Sequence, residues 1–389
     1  MSEIPPDAVI DTPAVVLERA APHRGAGTIA TADVTAPAGW QERLKTNNFD
    51  LLRLLLAVGV MFSHLSVLTR QSAYASLARL SDSTVLVQSF FVISGFLIFM
   101  SYEKSKSLTD YFSKRMRRIY PAYFVMILLC FTTGLILTRL PAAAYFSWKA
   151  LRYLAANLTF LVFLQPTLPG VFGSNPIPAV NGSLWTLKIE VAFYVFVPLF
   201  CWLMRRGNRV LLLALVYAAS LIYAATWDHF GNHEAAKQFP GQLSFFVAGA
   251  ALYYYFERFA KNASLWFVLA LAVLHIHGIW PVGWLVPASI GVITIFLACL
   301  LPNLGGVGRF GDLSYGFYIY HFPVIQTFEY CGVFRWNIVG GFFLSVGLTG
   351  LLAFASWHLV EKRFLRKSSH YRQSSEGHPH PSPAMPANT

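Results

Sequence analysis

The stretch of sequence that decides the fold is DLLRLLLAVGVMFSHLSVL, residues 50–68. After its first residue only two side chains are ionisable, Arg53 and His64, and the remainder is apolar enough for a helix that crosses a bilayer. A charged side chain at the membrane centre costs about 2.5–3.5 kcal/mol on insertion scales, so such residues are usually paired or functional. The stretch therefore predicts a transmembrane helix that also carries part of a site.

The composition of the whole chain supports a membrane protein. Hydrophobic residues make up 56% of the 389 residues and charged residues 12%, whereas a soluble domain has about 25% charged residues. Too few charges remain to cover a soluble surface, and an aromatic content of 16% suits the belts at membrane interfaces. The net charge of +12 is typical of cytoplasmic loops rich in Lys and Arg, so we expect membrane lipid and no nucleic acid as a partner.

Apolar segments of near-spanning length recur along the chain. They cover residues 50–69, 84–103, 119–138, 187–204, 209–227, 240–257, 264–280, 283–301, 313–332 and 337–359. We therefore predict an all-α, polytopic bundle of about ten transmembrane helices over residues 47–366. The polar ends, 1–46 and 367–389, are predicted to be disordered cytoplasmic tails. Residues 153–164 are apolar but short, and are interpreted as an interfacial or re-entrant piece of a long outer loop.

The distribution of Lys and Arg orients this predicted bundle. With both termini in the cytoplasm, the inner segments hold 21 of these residues and the outer segments eight, or 17 against eight without the N-terminal tail. This bias follows the positive-inside rule. A span at 153–164 would place RMRR (115–118) and MRRGNR (204–209) on opposite sides of the membrane, which the same rule disfavours.

The four cysteines carry no predicted chemistry. They are Cys130, Cys201, Cys299 and Cys331, which lie inside or at the end of apolar runs and form no CxxC pair. We interpret them as small buried hydrophobes. No disulfide framework and no metal are expected.

Arg53 and His64 lie on one side of the first predicted helix. Their spacing of eleven residues corresponds to about 1100°, which is about 20° from three full turns, and to about 16 Å along the axis. Both can therefore line one cavity at two depths. The alternative is that Arg53 extends to the inner interface and His64 is a hydrogen-bonded core histidine.

One motif lies inside the second predicted helix, and another follows it at the start of the third. In SFFVISGFLI (89–98), the pair Ser94-Gly95 is typical of close helix packing, with Ser94 as a polar group near the cavity as the functional option. The segment RMRRIYP (115–121) follows, with Pro121 suited to the first turn of a helix. The cations here suit an anionic cofactor, anionic lipid, or topology alone; they are Lys114, Arg115, Arg117 and Arg118.

Two later helices add polar groups. Glu190 begins the fourth predicted span, with Tyr194 one turn further on, and its carboxylate could orient His64 and raise the basicity of the imidazole. The alternative is a pair with Lys188 at the interface. In the ninth span His321 follows three tyrosines, and is either a second catalytic histidine or a core histidine bonded to Tyr.

The combination of these motifs resembles the membrane-bound acyltransferase-3 family over residues 46–366. The resemblance rests on R-x10-H in the first span, FFVISGF (90–96), RMRRIYP, SLWTLKIEVAFY (183–194) and GDLSYGFYIYH (311–321). It implies ten transmembrane helices and transfer of acyl groups, often acetyl, from cytoplasmic coenzyme A thioesters to hydroxyls of cell-envelope glycans. The chain departs from the family at Gln88, where many members are acidic, and at VEKRF (360–364), where many read VERP. We expect the short, stand-alone form.

The resemblance also assigns roles to residues of this chain. The family's catalytic arginine, histidine and carboxylate fall on Arg53, His64 and Glu190. Its inner-loop RxxR falls on Arg115 and Arg118, and with Arg117 and Lys114 these form the predicted acetyl-CoA phosphate site. The predicted acceptor-binding residues are Trp185, Tyr194, Ser94 and His321.

The resemblance predicts an O-acyltransferase of the bacterial inner membrane. Its co-substrate would be acetyl-CoA, with no metal, and its acceptor an O-antigen, an exopolysaccharide or a lipid-linked glycan. The alternative is a transporter or flippase of a lipid-linked glycan without acyl transfer, because such proteins also need intramembrane His, Arg and Glu.

Overall fold

The computed structural model describes residues 47–304 and 311–366, so both predicted tails, 1–46 and 367–389, lie outside the described residues. Within these ranges the chain is all-helical and has no strand. Eleven of the described α-helices have eleven or more residues: α1 Phe49–Thr69, α2 Ser83–Glu103, α3 Leu108–Leu137, α4 Trp148–Leu158, α5 Trp185–Arg206, α6 Arg209–His229, α7 Phe239–Tyr254, α8 Ala263–His277, α9 Val286–Cys299, α10 Leu313–Tyr330 and α11 Ile338–Ser356. Shorter helical pieces are Ser72–Tyr74, Ala75–Leu80, Ala142–Tyr145, Val162–Leu164, Gly182–Leu184, His233–Ala236, Phe256–Lys261, Gly283–Leu285, Val333–Trp336, Trp357–Glu361 and Lys362–Phe364.

Polar residues set the start of five of these helices. The side chains of Asp82, Ser107, Asn208, Asp312 and Asn337 each accept a hydrogen bond from a backbone N–H in the first turn. The first backbone N–H groups of a helix have no partner within it, so an oxygen at this position stabilises the start. In each case the apolar run of the helix begins after its cap.

A helix occupies each of the ten predicted apolar segments. Within the part of the chain that the structure describes, six helical segments are long and apolar enough to cross a membrane: Phe49–Thr69, Ser72–Glu103, Leu108–Leu137, Gly182–Arg206, Arg209–His229 and Ile338–Phe364. Helices α7, α8, α9 and α10 do not meet these limits of length and hydropathy, so the count of ten spans stays a prediction. The exposed faces of α6 and α8 carry Leu211, Ile222, Leu265 and Val268, which suits contact with lipid. The chain is thus a multi-pass membrane protein.

The short apolar stretch at 153–164 does not form a long helix. Helix α4 has 11 residues and is about 16 Å long, roughly half the thickness of the hydrocarbon core. A single 3-10 turn, Val162–Leu164, and irregular backbone follow it. This supports the interpretation of the stretch as part of a loop.

Glycines allow α2 and α7 to pack in close contact. A Cβ atom at Gly95 would lie 1.9 Å from the carbonyl oxygen of Phe246, and one at Gly249 would lie 2.1 Å from that of Val92. The backbones therefore touch at two places, as is common where small residues meet between membrane helices. The close packing predicted at Ser94-Gly95 is confirmed. Helix α2 also packs on α1, which packs on α10, and the site lies among these helices.

We predict that Gly95→Ala destabilises the bundle. The added methyl group meets a backbone carbonyl, which cannot rotate away, and overpacking of this kind typically costs about 1–3 kcal/mol. Thermal unfolding of the detergent-solubilised protein, followed by circular dichroism, measures the effect. Gly347→Ala is the matched control because its Cβ would meet no atom within 4 Å. Equal melting temperatures for the two variants would contradict the prediction.

Candidate active site

A narrow polar cleft lies between α1, α2, α3, α5 and α10. Its volume is about 100 Å³, below the about 300–1,000 Å³ of typical small-molecule pockets, and Phe90 and Phe91 form part of its apolar wall. An extended ligand therefore enters only if such side chains rotate. The polar residues that line the cleft are Arg53, Ser94, Arg115, Arg118, Thr186, Glu190, Tyr194, Ser314, Tyr315 and Tyr318.

One end of the cleft is a network of buried ion pairs centred on Asp312. The Asp312 carboxylate lies 2.5 Å from a guanidinium nitrogen of Arg118 and 3.4 Å from one of Arg53. Arg118 also bonds to Glu361 at 2.9 Å, and Arg53 to Asp50 at 2.5 Å. Arg53 is thus held in place by carboxylates, and it also donates to the carbonyl oxygen of Phe49 in the first turn of α1, which is compatible with the predicted alternative of a side chain that extends toward the inner interface.

The backbone around Asp312 is adapted to bring the carboxylate to the arginines. Gly311 has a φ of 94°, and a Cβ there would lie 2.0 Å from the indole nitrogen of Trp357, so a side chain is excluded. Asp312 then caps α10 by accepting bonds from the backbone N–H and hydroxyl of Ser314. A turn of π-helix, Trp357–Glu361, carries Glu361 to the other side of Arg118. Such turns often occur at functional sites.

Two members of the predicted cation cluster face the cleft and two do not. Helix α3 begins at Leu108 rather than near Pro121, which lies inside it, so the cluster is helical. Arg115 and Arg118 are three residues apart and share the face that lines the cleft. Arg117 points away and is exposed, and Lys114 pairs with Asp110 at 2.6 Å. Neither residue lines the cleft.

Glu190 lies in the cleft beside Tyr194. Its carboxylate accepts a hydrogen bond of 2.8 Å from the Tyr194 hydroxyl, and the guanidinium of Arg115 lies 5.9 Å from the centre of the Tyr194 ring. Lys188 instead donates to the side-chain oxygen of Gln238 at 2.6 Å. The alternative pair of Glu190 with Lys188 is therefore wrong.

His64 pairs with a second histidine, His321. The Nδ1 atom of His64 lies 2.8 Å from Nε2 of His321, and the two rings are nearly parallel, with centres 5.1 Å apart. His321 is fully buried, while His64 is half-buried. Tyr318 meets His321 by ring contact at 5.8 Å and also bonds to it through its backbone, so His321 is a core histidine in contact with a tyrosine, as the alternative predicted, and in addition bonds to His64.

The hydrogen bonds of His321 determine the proton positions in the neutral pair. Its Nδ1 lies 3.3 Å from the carbonyl oxygen of Phe317, and a carbonyl only accepts, so this nitrogen carries the proton. Nε2 of His321 is then an acceptor, and Nδ1–H of His64 donates to it. The remaining nitrogen of His64, Nε2, keeps its lone pair. The pair therefore presents His64 Nε2 as a base.

Tyr318 connects the cleft to the histidine pair. It lines the cleft, shares a hydrogen bond of 2.8 Å with the hydroxyl of Thr186 and packs edge-on against His321. Among the described contacts there is no hydrogen bond between Glu190 and His64, so His321 occupies the orienting position that the sequence had suggested for Glu190.

Of the remaining predicted residues, some line the cleft and one does not. Ser94 and Tyr194 line the cleft, whereas Trp185 packs against the hydrophobic core and does not line it. Sequence reasoning missed Asp312, Glu361 and Tyr318. The signal for Asp312 was the pair Gly-Asp directly before an apolar helix, which is typical of a capping position.

The cysteines make no cross-link. All four are free; Cys130, Cys201 and Cys299 are buried as predicted, whereas Cys331 is exposed because it follows the last turn of α10. In residues 47–304 and 311–366, no group of three or more His, Cys, Asp or Glu side chains is arranged to hold a metal ion.

Comparison with known proteins places the chain in a family. A family model described as an acyltransferase domain, of type 3, matches residues 46–358. The chain is 30% identical to an O-acetyl transferase of Shigella phage Sf6, over 84% of this chain and 98% of that protein. It is 32% identical to nodulation protein 10 of Rhizobium leguminosarum bv. viciae, over 81% and 92%.

A more distant relative is longer than this chain. The chain is 24% identical to the O-acetyltransferase OatA of Staphylococcus aureus strain NCTC 8325 / PS 47, over 82% of this chain and 57% of that protein. No solved structure matches the chain. The family match covers nearly all of the described helices, including the cleft and both histidines. The chain therefore belongs to the acyltransferase-3 family of membrane-bound acyltransferases.

Proposed function

We propose that this protein transfers an acetyl group from cytoplasmic acetyl-CoA to a hydroxyl of an envelope or exported carbohydrate, with His64 as the general base. The observation that carries the proposal is the set of contacts from Phe317 through His321 to His64; the tautomers that satisfy these contacts leave the lone pair of His64 Nε2 free. The names of two relatives, O-acetyl transferase and O-acetyltransferase, support acetyl as the group transferred.

The proposed topology has ten spans, both termini in the cytoplasm and the bacterial inner membrane as its location. Three features support it: helices at all ten apolar segments, a loop helix α4 of only 11 residues, and the excess of Lys and Arg in the inner segments. The cleft end with Arg115 and Arg118 then opens to the cytoplasm.

The donor is proposed to enter at this cytoplasmic end. Arg115 is suited to the phosphates of coenzyme A because one guanidinium group can bind two phosphate oxygens. Arg118, the other arginine of the RxxR motif, lines the same entrance but is already paired with Asp312 and Glu361. Arg115 Nε is buried without a hydrogen-bond partner, which favours a ligand at this side chain. The pantetheine arm is comparable in length to half a bilayer, about 15 Å, and would pass Arg53 and Tyr318 toward His64 once the cleft widens.

The chemical step is proposed to be direct transfer. His64 Nε2 removes the proton from the acceptor hydroxyl while that oxygen attacks the thioester carbonyl. The C–S bond then breaks, and the proton on His64 passes to the coenzyme A thiolate. In the alternative sequence His64 Nε2 attacks the thioester, the C–S bond breaks and coenzyme A leaves as the thiolate. The acceptor oxygen then takes the acetyl group from His64, and the proton of its hydroxyl passes through the freed imidazole to the thiolate. In both, His321 is a positioning residue that keeps His64 in the productive tautomer.

We predict different losses for variants of the two histidines. His64→Ala should reduce transfer about 100- to 10,000-fold, the range for loss of a general base. His321→Leu should cause a smaller loss, about 10- to 100-fold, as for other residues that orient a functional side chain. His321→Gln should recover part of this activity because its amide oxygen can accept the bond from His64 Nδ1–H. The measurement is kcat for release of coenzyme A from acetyl-CoA in membranes.

A change in the pH dependence of kcat separates positioning from a structural role. His321→Leu removes the acceptor for His64 Nδ1–H, so the pH profile of kcat should shift relative to wild type. A loss that comes only from lower stability should instead reduce kcat without moving its pH profile. Undiminished transfer by His64→Ala would exclude both chemical sequences.

We predict that Arg115→Gln raises the KM for acetyl-CoA about 10- to 100-fold, with a small effect on kcat. The reason is loss of a charge-assisted hydrogen bond to phosphate, worth about 1.5–3 kcal/mol. Arg117→Gln provides the matched comparison and should raise KM less, since Arg117 is exposed and does not line the cleft. Equal effects of the two substitutions would argue for binding by general positive charge.

The alternative function, transport of a lipid-linked glycan, makes an opposite prediction. Membranes that contain the protein and receive radiolabelled acetyl-CoA should transfer label to envelope glycan only if the protein is an acetyltransferase. Membranes with His64→Ala serve as the control. Movement of glycan across the membrane without consumption of acetyl-CoA would favour the transporter.

A further inference from the structure

A second cavity lies at the end of the bundle opposite to Asp312. Its volume is about 380 Å³, within the range of small-molecule pockets. It lies where α3 and α10 end and where the long loop over residues 138–180 folds back. Its polar lining residues are Arg139, Lys149, Thr167, Ser174 and Tyr330.

Hydrogen bonds from α10 hold this loop in a defined shape. The buried amide of Gln326 donates to the carbonyl oxygens of Ile177 and Ala179, both at 2.6 Å. Asn175 in turn donates to the backbone and side-chain oxygens of Gln326 at 3.0 and 2.9 Å. Phe172 adopts a left-handed conformation, with φ of 60°, and its ring meets Tyr330 edge-on. The cavity is therefore built by specific contacts even though its wall is irregular backbone.

The charges around this cavity favour an anion. The guanidinium of Arg139 lies 5.5 Å from the centre of the Tyr330 ring, and Lys149 is exposed at the rim. Neither forms an ion pair with a residue that the structure describes, and no carboxylate is among the lining residues. The hydroxyls of Thr167 and Ser174 add hydrogen-bond donors. Two cations, two hydroxyls and an aromatic ring suit an anionic sugar or a sugar phosphate.

The cavity and Asp312 lie at similar distances from the histidine pair, at opposite ends of α10. On α10, His321 lies nine residues after Asp312 and nine before Tyr330, which is about 14 Å along the axis in each direction. The Asp312 end carries the arginine cleft proposed for the donor. A ligand at the Tyr330 end therefore approaches the histidines from the side that the donor does not use.

We propose that this cavity is an acceptor subsite that binds an anionic group of the glycan through Arg139 and Lys149. The proposal rests on the proposed function and narrows its acceptor to an acidic one. Two sources supply the same oxyanion chemistry: the carboxylate of a uronic acid, or the diphosphate that links a glycan to a lipid. Bound there, the anion anchors the acceptor while one of its hydroxyls reaches His64.

Binding is tested with the full chain in nanodiscs of neutral phosphatidylcholine. The probes are octyl β-glucuronide for a uronate, farnesyl diphosphate for a lipid diphosphate, and octyl β-glucoside as the neutral comparison. One anionic probe should bind saturably and identify the source. The double substitution Arg139→Gln with Lys149→Gln should weaken that binding about 10- to 100-fold, the loss for at least one charge-assisted hydrogen bond.

A neighbouring cation provides the matched control. Arg152 lies on α4, as Lys149 does, and is exposed, but it does not line the cavity. Arg152→Gln should change binding less than about twofold. An equal loss for Arg152→Gln would show general attraction to the interface and overturn the subsite, as would saturable binding by neither anionic probe or equal binding of the neutral glycoside.

Transfer measurements separate this proposal from the proposed function. His64→Ala should keep probe binding and lose transfer of radiolabelled acetyl groups, whereas the double variant should raise the acceptor KM and keep the KM for acetyl-CoA. Binding without any transfer by the wild-type protein would contradict the proposed function and its acceptor role, and would leave only the anion-binding site at Arg139 and Lys149 standing. Transfer with an unchanged acceptor KM in the double variant would overturn the subsite alone.

Discussion

The buried carboxylate of Asp312 is the contact on which the site depends. An arginine inside an apolar bundle is stable only if an opposite charge accompanies it, and Asp312 serves both Arg53 and Arg118. Arg53 lies on α1, Arg118 lies on α3 and Asp312 caps the start of α10, so the ion pairs fix three helices at one end of the cleft. Without the Asp312 carboxylate, the charges of Arg53 and Arg118 would be less fully paired, and the ion pairs would no longer fix this end of the cleft.

The histidine pair also lies inside the apolar bundle, but hydrogen bonds rather than ion pairs hold it. A neutral imidazole buried among protein groups keeps the tautomer that its hydrogen-bond partners favour, and here the carbonyl of Phe317 orders the protons through His321 to His64. Ion pairs at one end and a directional hydrogen bond at mid-helix thus separate two tasks along α10. The ion pairs hold the helices at the entrance of the cleft, and in the proposed function the histidine pair activates an uncharged hydroxyl. A loop fastened to the far end of the same helix by Gln326 completes the arrangement.

Much of the candidate site was predictable because ionisable residues are rare in such an apolar sequence. Arg53, His64 and Glu190 are ionisable groups in or beside apolar runs, and such groups attract attention wherever they occur. Their partners were less predictable. Asp312 precedes its helix and reads equally well as an ordinary cap, Glu361 reaches Arg118 only through a π-helical turn, and His321 was expected to bond to a tyrosine, not to His64. That Arg115 faces the cleft and Arg117 does not could be predicted only by knowing that α3 starts thirteen residues before Pro121, so that both arginines lie on a helix.

The sequence by itself determined that this chain is a helical membrane protein of the acyltransferase-3 family, because hydropathy, helix caps and short motifs are local properties of the chain. Only the tertiary structure decided which groups meet. His64 and His321 are 257 residues apart and Arg118 and Asp312 are 194 apart, and no periodicity records such contacts. They depend on how α1, α3 and α10 pack, which is set by the shape of the apolar surfaces and by the need to pair each buried charge.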